Sequence, residues 1–163
     1  MNKVLALLLI FVIAPLWLLI AAVQFLVFKK VFFVQERTGK NLKTFKVYKL
    51  QTIKKNSSEI PGWGLFLRRT SLDETPQLIN VVLGDMNFVG PRPLLPEYVG
   101  RYSEYQNKRH LVKPGITGWA QVNGRTNISW TEQFEYDVWY VNNRSFLVDA
   151  KVLGLTVRSI FSK

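Results

Sequence analysis

Apolar and polar positions divide this 163-residue chain into one long uncharged run and a series of shorter patterned segments. From Val4 to Phe28 no residue carries a charge, and Gln24 is the only strongly polar side chain. These 25 residues exceed the roughly 20 that a helix needs to cross a bilayer. No small-residue cleavage site of a secretory signal follows them. A retained membrane helix over residues 1–30 is therefore expected, with a globular domain over 31–163. A straight helix of this length is about 37 Å long, against a hydrocarbon core of about 30 Å. Pro15 sits mid-run, where it removes a backbone hydrogen bond and bends the helix. A lone proline is tolerated in a spanning helix, so spanning is the default. A sharp bend also allows entry into one leaflet and return to the same face.

In the remainder, Val31–Val34 is a short apolar run, and Thr44–Leu50 alternates as a half-buried strand does. With the turn residues Thr38-Gly39-Lys40-Asn41 between them, the two predict a hairpin. Residues 54–64 read as a polar loop holding Ser57, Ser58, Pro61 and Gly62, followed by one helical turn to Arg69. A helix over 77–83 stops at Gly84. Residues 91–96 cannot be regular helix, whereas 97–110 read as helix with Tyr98, Tyr102 and Tyr105 on one side. Residues 113–119 are turn-rich. Helices follow over 131–141, capped by Ser129 or Thr131, and over 146–160. The pattern predicts a helix-rich α+β fold with little strand. Trp119, Trp130 and Trp139 are expected in the core, with a membrane interface as the alternative place for such rings.

Composition narrows the chemistry. The absence of cysteine excludes disulfides and thiolate sites. A single histidine, His110, excludes a multi-histidine zinc site within one chain. It lies in the charged stretch NKRH, where an exposed histidine is expected. The net charge of +11 favours an anionic partner. Lys29, Lys30, Arg37, Lys40, Lys43, Lys46 and Lys49 follow the apolar run, which places the following domain in the cytoplasm, near anionic headgroups.

Residues 68–93, RRTSLDETPQLINVVLGDMNFVGPRP, carry the densest chemistry. The adjacent acids Asp73 and Glu74 follow two arginines, and Pro91-Arg92-Pro93 comes about twenty residues later. Locally, Ser71 to Glu74 fits a capping box. Thr75 as cap with Pro76 at the first helical position is preferred, because a proline further inside would remove a hydrogen bond. That choice leaves both carboxylates just outside the helix. Carboxylates hold metals or act as nucleophiles, and arginines grip phosphate.

The chain resembles the bacterial sugar transferase family, the small monotopic phosphoglycosyl transferases. The resemblance rests on Thr70-Ser71-Leu72-Asp73-Glu74, Pro76-Gln77-Leu78, Gly84-Asp85-Met86 and Val89-Gly90-Pro91-Arg92-Pro93-Leu94. It rests further on Arg109-His110, on Lys113 through Trp119 to Arg125, and on Asp137-Val138-Trp139-Tyr140-Val141. It covers almost the whole chain in order. It implies transfer of a sugar 1-phosphate from a UDP-sugar to polyprenol phosphate, releasing UMP, as the first membrane step of glycan assembly. Asp73 would be the nucleophile of an aspartyl-phosphosugar intermediate, with Glu74 a metal or acid–base partner and Mg²⁺ held by Asp73 or Glu74. Arg68 and Arg92 would bind phosphate, and Pro91 and Pro93 would aim Arg92. Asp149 is a candidate site residue, and Asp137 is expected to be structural. Pro15 would mark the break of a re-entrant helix, with the catalytic domain on the cytoplasmic face of the bacterial inner membrane. Two departures from the family pattern are Ala14-Pro15 in place of Ser-Pro and Gln51 in place of a basic residue. Without the resemblance, the composition also fits a membrane-anchored basic module that binds anionic lipid or nucleic acid. The resemblance implies no nucleic-acid partner.

Overall fold

A computed structural model describes residues 2–54, 59–124 and 128–161. Ser57 and Ser58 of the expected loop, and Arg125 of the expected motif, lie outside them. The chain is helix-rich with four short strands among the described residues, as the pattern predicts. It forms two compact units, Met1–Gln35 with Lys46–Leu83, and Glu36–Phe45 with Gly84–Lys163.

The first unit begins with α1 (Asn2–Phe28), which runs through Pro15 without interruption. By length and composition it can cross a membrane. Phe11 is 82% exposed and Leu18 75%, a surface that water disfavours and lipid accepts. Ile20, Gln24 and Phe28 are buried, and their spacing of four puts them on one face. After it come β1 (Phe32–Thr38) and β2 (Thr44–Leu50), paired as a hairpin around a tight turn at Lys40–Leu42. The hairpin base belongs to this unit and its tip to the second. The helix α2 (Gly62–Arg69) starts two residues earlier than expected. Gly64 is required there, since a Cβ would collide with the Thr52 carbonyl. The helix α3 (Gln77–Leu83) packs along α1 and ends at Gly84 with φ 93°. Asn80 on α3 is fully buried and acts as a substitute strand, accepting from Tyr48 N (3.2 Å) and donating to Lys46 O (2.7 Å) of β2. Ile20, Leu50 and Leu67 form the core, with Val31, Trp63 and Leu72 against them. Full burial of a side chain such as Leu67 contributes about 1.5–3 kcal/mol.

The second unit is built on β3 (Asn87–Val89). Residues 97–110 do not form the expected single helix. They break into a 3₁₀ turn Pro96–Arg101, the short α4 (Glu104–Asn107) and a second 3₁₀ turn Lys108–Leu111. Ser103 with Gln106 forms a capping box, which restarts the helix mid-segment. The turn-rich stretch contains β4 (Gly115–Thr117), which pairs parallel to β3 in the register Asn87 to Gly115 and Val89 to Thr117. Then come α5 (Trp119–Gly124), α6 (Trp130–Asn143) and α7 (Phe146–Phe161). Ser129 caps α6 through a box with Glu132, which decides between the two expected caps. Val89, Tyr140 and Val152 form the core. Contrary to expectation, Trp130 and Trp139 are 50% and 39% exposed, because the buried face of α6 presents Phe134, Asp137, Val138 and Tyr140 instead. Trp119 is half-buried and stacks on Trp139 with ring centroids 4.4 Å apart.

Candidate active site

In the first unit, Asp73 and Glu74 occupy a 3₁₀ turn, Leu72–Glu74, and both are half-buried. They lie just before α3, as the position of Pro76 suggested. The capping chemistry differs from both expectations. Ser71 has left-handed dihedrals (φ 58°, ψ 16°) and makes no capping bond through its side chain. Thr75 is in right-handed helical geometry. Its hydroxyl donates to Leu72 O (2.7 Å) and accepts from Trp17 Nε1 of α1 (3.0 Å). Thr75 therefore ties the acidic turn to the apolar helix and leaves capping undone. The left-handed Ser71, a strained state for a residue with a Cβ, reverses the chain from α2 into the turn.

Two cations belong to the same unit. Arg68 at the end of α2 donates Nε to Thr52 Oγ1 (3.0 Å), which orients its guanidinium. Lys49 of β2 meets Glu74 Oε1 at 2.7 Å, both side chains about one-fifth exposed. Lys49 appeared in the sequence as one of a run of basic residues and, beside Tyr48, in the family resemblance, but without a role, because its pairing with Glu74 spans 25 positions. Strand alternation was the one available signal, since it puts Lys49 on the face opposite Tyr48 and Leu50. Among the described residues no group of three or more His, Cys, Asp or Glu gathers. Mg²⁺ does not need one. It is commonly held by one or two carboxylates, with substrate phosphate and water completing its shell, and Asp73 and Glu74 supply that kind of hard-oxygen donor set.

Pro91, Arg92, Pro93 and Asp149 fall in the second unit. The prolines lack N–H groups, so the segment is secured through its carbonyls. Gly115 N donates to Pro91 O (3.1 Å), Arg109 Nη2 to Arg92 O (2.7 Å) and Thr38 N to Leu94 O (3.0 Å). Just upstream, Gly90 N donates to Thr117 O (2.9 Å). A Cβ on Gly115 would collide with Gly90 N, so the two backbones touch without intervening side chains. Asp149 accepts from the Tyr140 hydroxyl at 2.6 Å, and Val89 O lies 3.2 Å from the same hydroxyl. Burial first, and the Asp149 carboxylate second, raise the Tyr140 hydroxyl well above its ordinary range.

Beneath this segment, Arg109, His110 and Thr38 line a cleft of about 10 Å³ with Pro91, Arg92 and Pro93. His110 is 6% exposed, against the expectation of a surface histidine. The turn Lys108–Leu111 points it inward, where Nδ1 lies 3.0 Å from Gly39 O and donates to it in the neutral ring. Burial, reinforced by the neighbouring Arg109 charge, lowers its pKa to about 4. Arg109 is 2% exposed and stands 5.2 Å from the Phe134 ring. It forms an ion pair at 2.7 Å with Asp137 Oδ2 that lacks the direction of a good hydrogen bond. Burial pushes Asp137 up to about 6, and Arg109 opposes that shift.

Comparison with known proteins gives a consistent picture. A family model described as bacterial sugar transferase matches residues 1–163. An uncharacterised sugar transferase, EpsL, of Bacillus subtilis (strain 168) is 48% identical over 86% of this chain and 75% of its own length. The UDP-glucose:undecaprenyl-phosphate glucose-1-phosphate transferase of Escherichia coli (strain K12) is 39% identical, covering 96% of this chain. The protein of the same name from Xanthomonas campestris pv. campestris is 36% identical over 95% of it. The chain spans only 38% and 37% of the length of these last two.

Proposed function

The chain belongs to the bacterial sugar transferase family, and from that premise we propose that it moves a sugar 1-phosphate from a UDP-sugar to polyprenol phosphate and releases UMP. The observation that carries this reading is the acidic turn hydrogen-bonded to the apolar helix through Thr75 and Trp17. It couples carboxylates to a surface made for lipid. Asp73 attacks the phosphorus nearest the sugar, the bond from that phosphorus to the bridging oxygen breaks, and UMP departs. A polyprenol phosphate oxygen then attacks the aspartyl phosphorus and releases the carboxylate. Splitting the transfer in this way lets a soluble donor and a lipid acceptor use one nucleophile in turn. Arg68 and Arg92 grip phosphate oxygens. Lys49 holds Glu74 and sets the orientation of the second carboxylate. Asp73 or Glu74 would hold Mg²⁺, which would neutralise charge on the diphosphate.

The same contact supports a re-entrant rather than a spanning α1. Residues 2–16 measure about 22 Å, short of the roughly 30 Å core. A straight span starting at Asn2 would leave Trp17 and the acidic turn roughly 8 Å short of the cytoplasmic boundary, inside the hydrocarbon, where charge is disfavoured. A re-entrant course would keep the turn at the cytoplasmic interface, where the lipid phosphate lies, although it needs a bend at Pro15 where α1 is continuous, not the expected break.

The test is UMP release from a panel of UDP-sugars by the full chain in lipid nanodiscs with polyprenol phosphate and Mg²⁺. Release with at least one donor is expected, and none across the panel overturns the reading. Near-normal turnover by Asp73→Asn would exclude the covalent route. For topology, a cysteine placed at Asn2 should label from the cytoplasmic side. Labelling from the opposite side rules out re-entry.

A further inference from the structure

We propose that Arg109 is a positioning residue for Arg92, fixing the peptide that carries the phosphate-gripping guanidinium. The inference rests on the phosphoryl-transfer reading above and deepens it.

Pro91 and Pro93 remove two of the three N–H groups that could anchor the segment, so its carbonyls carry the anchoring. Two of the three carbonyl bonds described above come from backbone, Gly115 N to Pro91 O and Thr38 N to Leu94 O. The bond at the central residue, Arg92, comes from a side chain, Arg109 Nη2 at 2.7 Å. The residue that presents the functional guanidinium thus has its carbonyl held by a group that can be changed without altering the backbone.

Stability alone is a poor reason for this arrangement. Arg109 is 2% exposed and Asp137 1%, so both charges have lost water. Among the described residues, Arg109 Nε and Nη1 have no hydrogen-bond partner, and Asp137 Oδ2 has only the oblique ion pair. A buried pair with orphaned donors is commonly matched or bettered by apolar residues of similar volume, and unpaired buried donors are costly. The well-directed bond that Arg109 does make runs to the Arg92 carbonyl. The Arg92 carbonyl and Asp137 Oδ2 meet the same nitrogen, Nη2, so the charge pair holds the guanidinium where it reaches the carbonyl. Asp137 then acts one step further back, as the counter-charge that keeps Arg109 buried.

The test is a double-mutant cycle in nanodiscs, reading thermal midpoint, KM for the UDP-sugar and kcat by UMP release. The charge-free pair Arg109→Met/Asp137→Leu should keep a midpoint close to that of the parent, yet lose about 10–100-fold in kcat/KM, chiefly through KM. In that background, Arg92→Ala should cost several-fold less than it costs in the parent, because the guanidinium it removes is already misplaced. An equal cost of Arg92→Ala in both backgrounds, or unchanged kcat/KM in the charge-free pair, overturns the proposal. If the charge-free pair does not fold, the same cycle in Arg109→Lys decides, since lysine keeps the charge but its shorter side chain places the nitrogen short of the Arg92 carbonyl. A parent protein that releases no UMP with any donor fails the phosphoryl-transfer reading itself, which separates the two failures.

Discussion

The acidic turn of the first unit and the Pro91–Pro93 segment of the second are held by opposite means. Asp73 and Glu74 are half-buried in a 3₁₀ turn, secured by the Thr75 hydroxyl, Lys49 and a left-handed Ser71. Pro91-Arg92-Pro93 is secured by carbonyl bonds, touching glycine backbones and a buried ion pair. On the proposed covalent route, the nucleophile meets two substrates in succession and benefits from an accessible site. A phosphate grip works by preorganisation and benefits from a rigid frame. Changes in the first region should therefore alter activity more than stability. Single changes in the frame of the second that strand a buried charge or crowd the backbone should alter stability first.

The largest effect expected on the first side is Asp73→Asn, with turnover down by about 10³-fold or more and a thermal midpoint within a few degrees of the parent. A large loss of stability would break the contrast. Its counterpart is Asp137→Ala, which leaves Arg109 buried and unpaired and should cost about 3–5 kcal/mol in chemical denaturation. Gly115→Ala should be similarly severe, because the added Cβ meets Gly90 N. Lys49→Met should lower kcat/KM by about 10-fold while changing stability by no more than about 1 kcal/mol, the worth of a partly exposed pair.

A subtler difference is the response to acid. The native ring of His110 stays neutral to about pH 4, whereas the unfolded chain takes up its proton near 6.5. The His110 contribution should therefore fall as pH drops from 6.5 to 4, by at most about 1.4 kcal/mol per pH unit, and below pH 6 Asp137 offsets it. Asp137, raised to about 6, works in the other direction. Its contribution is full below its ordinary range and is lost as pH rises through 6. His110→Gln should flatten or reverse the acid limb of the parent in urea titrations from pH 4 to 7. An unchanged limb would mean that His110 is not the group responsible. The smallest effect is Ser71→Gly, which relieves the left-handed strain and should raise stability by up to about 1 kcal/mol. Its effect on turnover sharpens the comparison by reporting whether the acidic turn needs a stiff entry.

Much of this architecture was legible in local patterns. The uncharged run became α1, the alternating stretch became β2 over the expected residues, and Gly84 ended α3 with a positive φ. The position of Pro76 correctly left Asp73 and Glu74 outside the helix. Such signals act within four or five residues, through periodicity, missing N–H groups and the freedom of glycine, so a linear reading reaches them. The tyrosine-containing stretch 97–110 misled because the tyrosine spacing suggested one helical face, while Pro96, Gly100 and the capping Ser103 break it into separate turns.

By itself, then, the sequence determined the hairpin, most of the longer helices, the membrane-compatible helix, the place of the acidic pair and the family resemblance. Tertiary structure alone decided that β3 and β4 run parallel, that His110 and Arg109 turn inward, that Lys49 meets Glu74 and that Thr75 bonds Trp17 instead of capping. These pairings join residues 17 to 71 positions apart. Their energies depend on which groups lose water together, and that is settled only when distant segments close on one another.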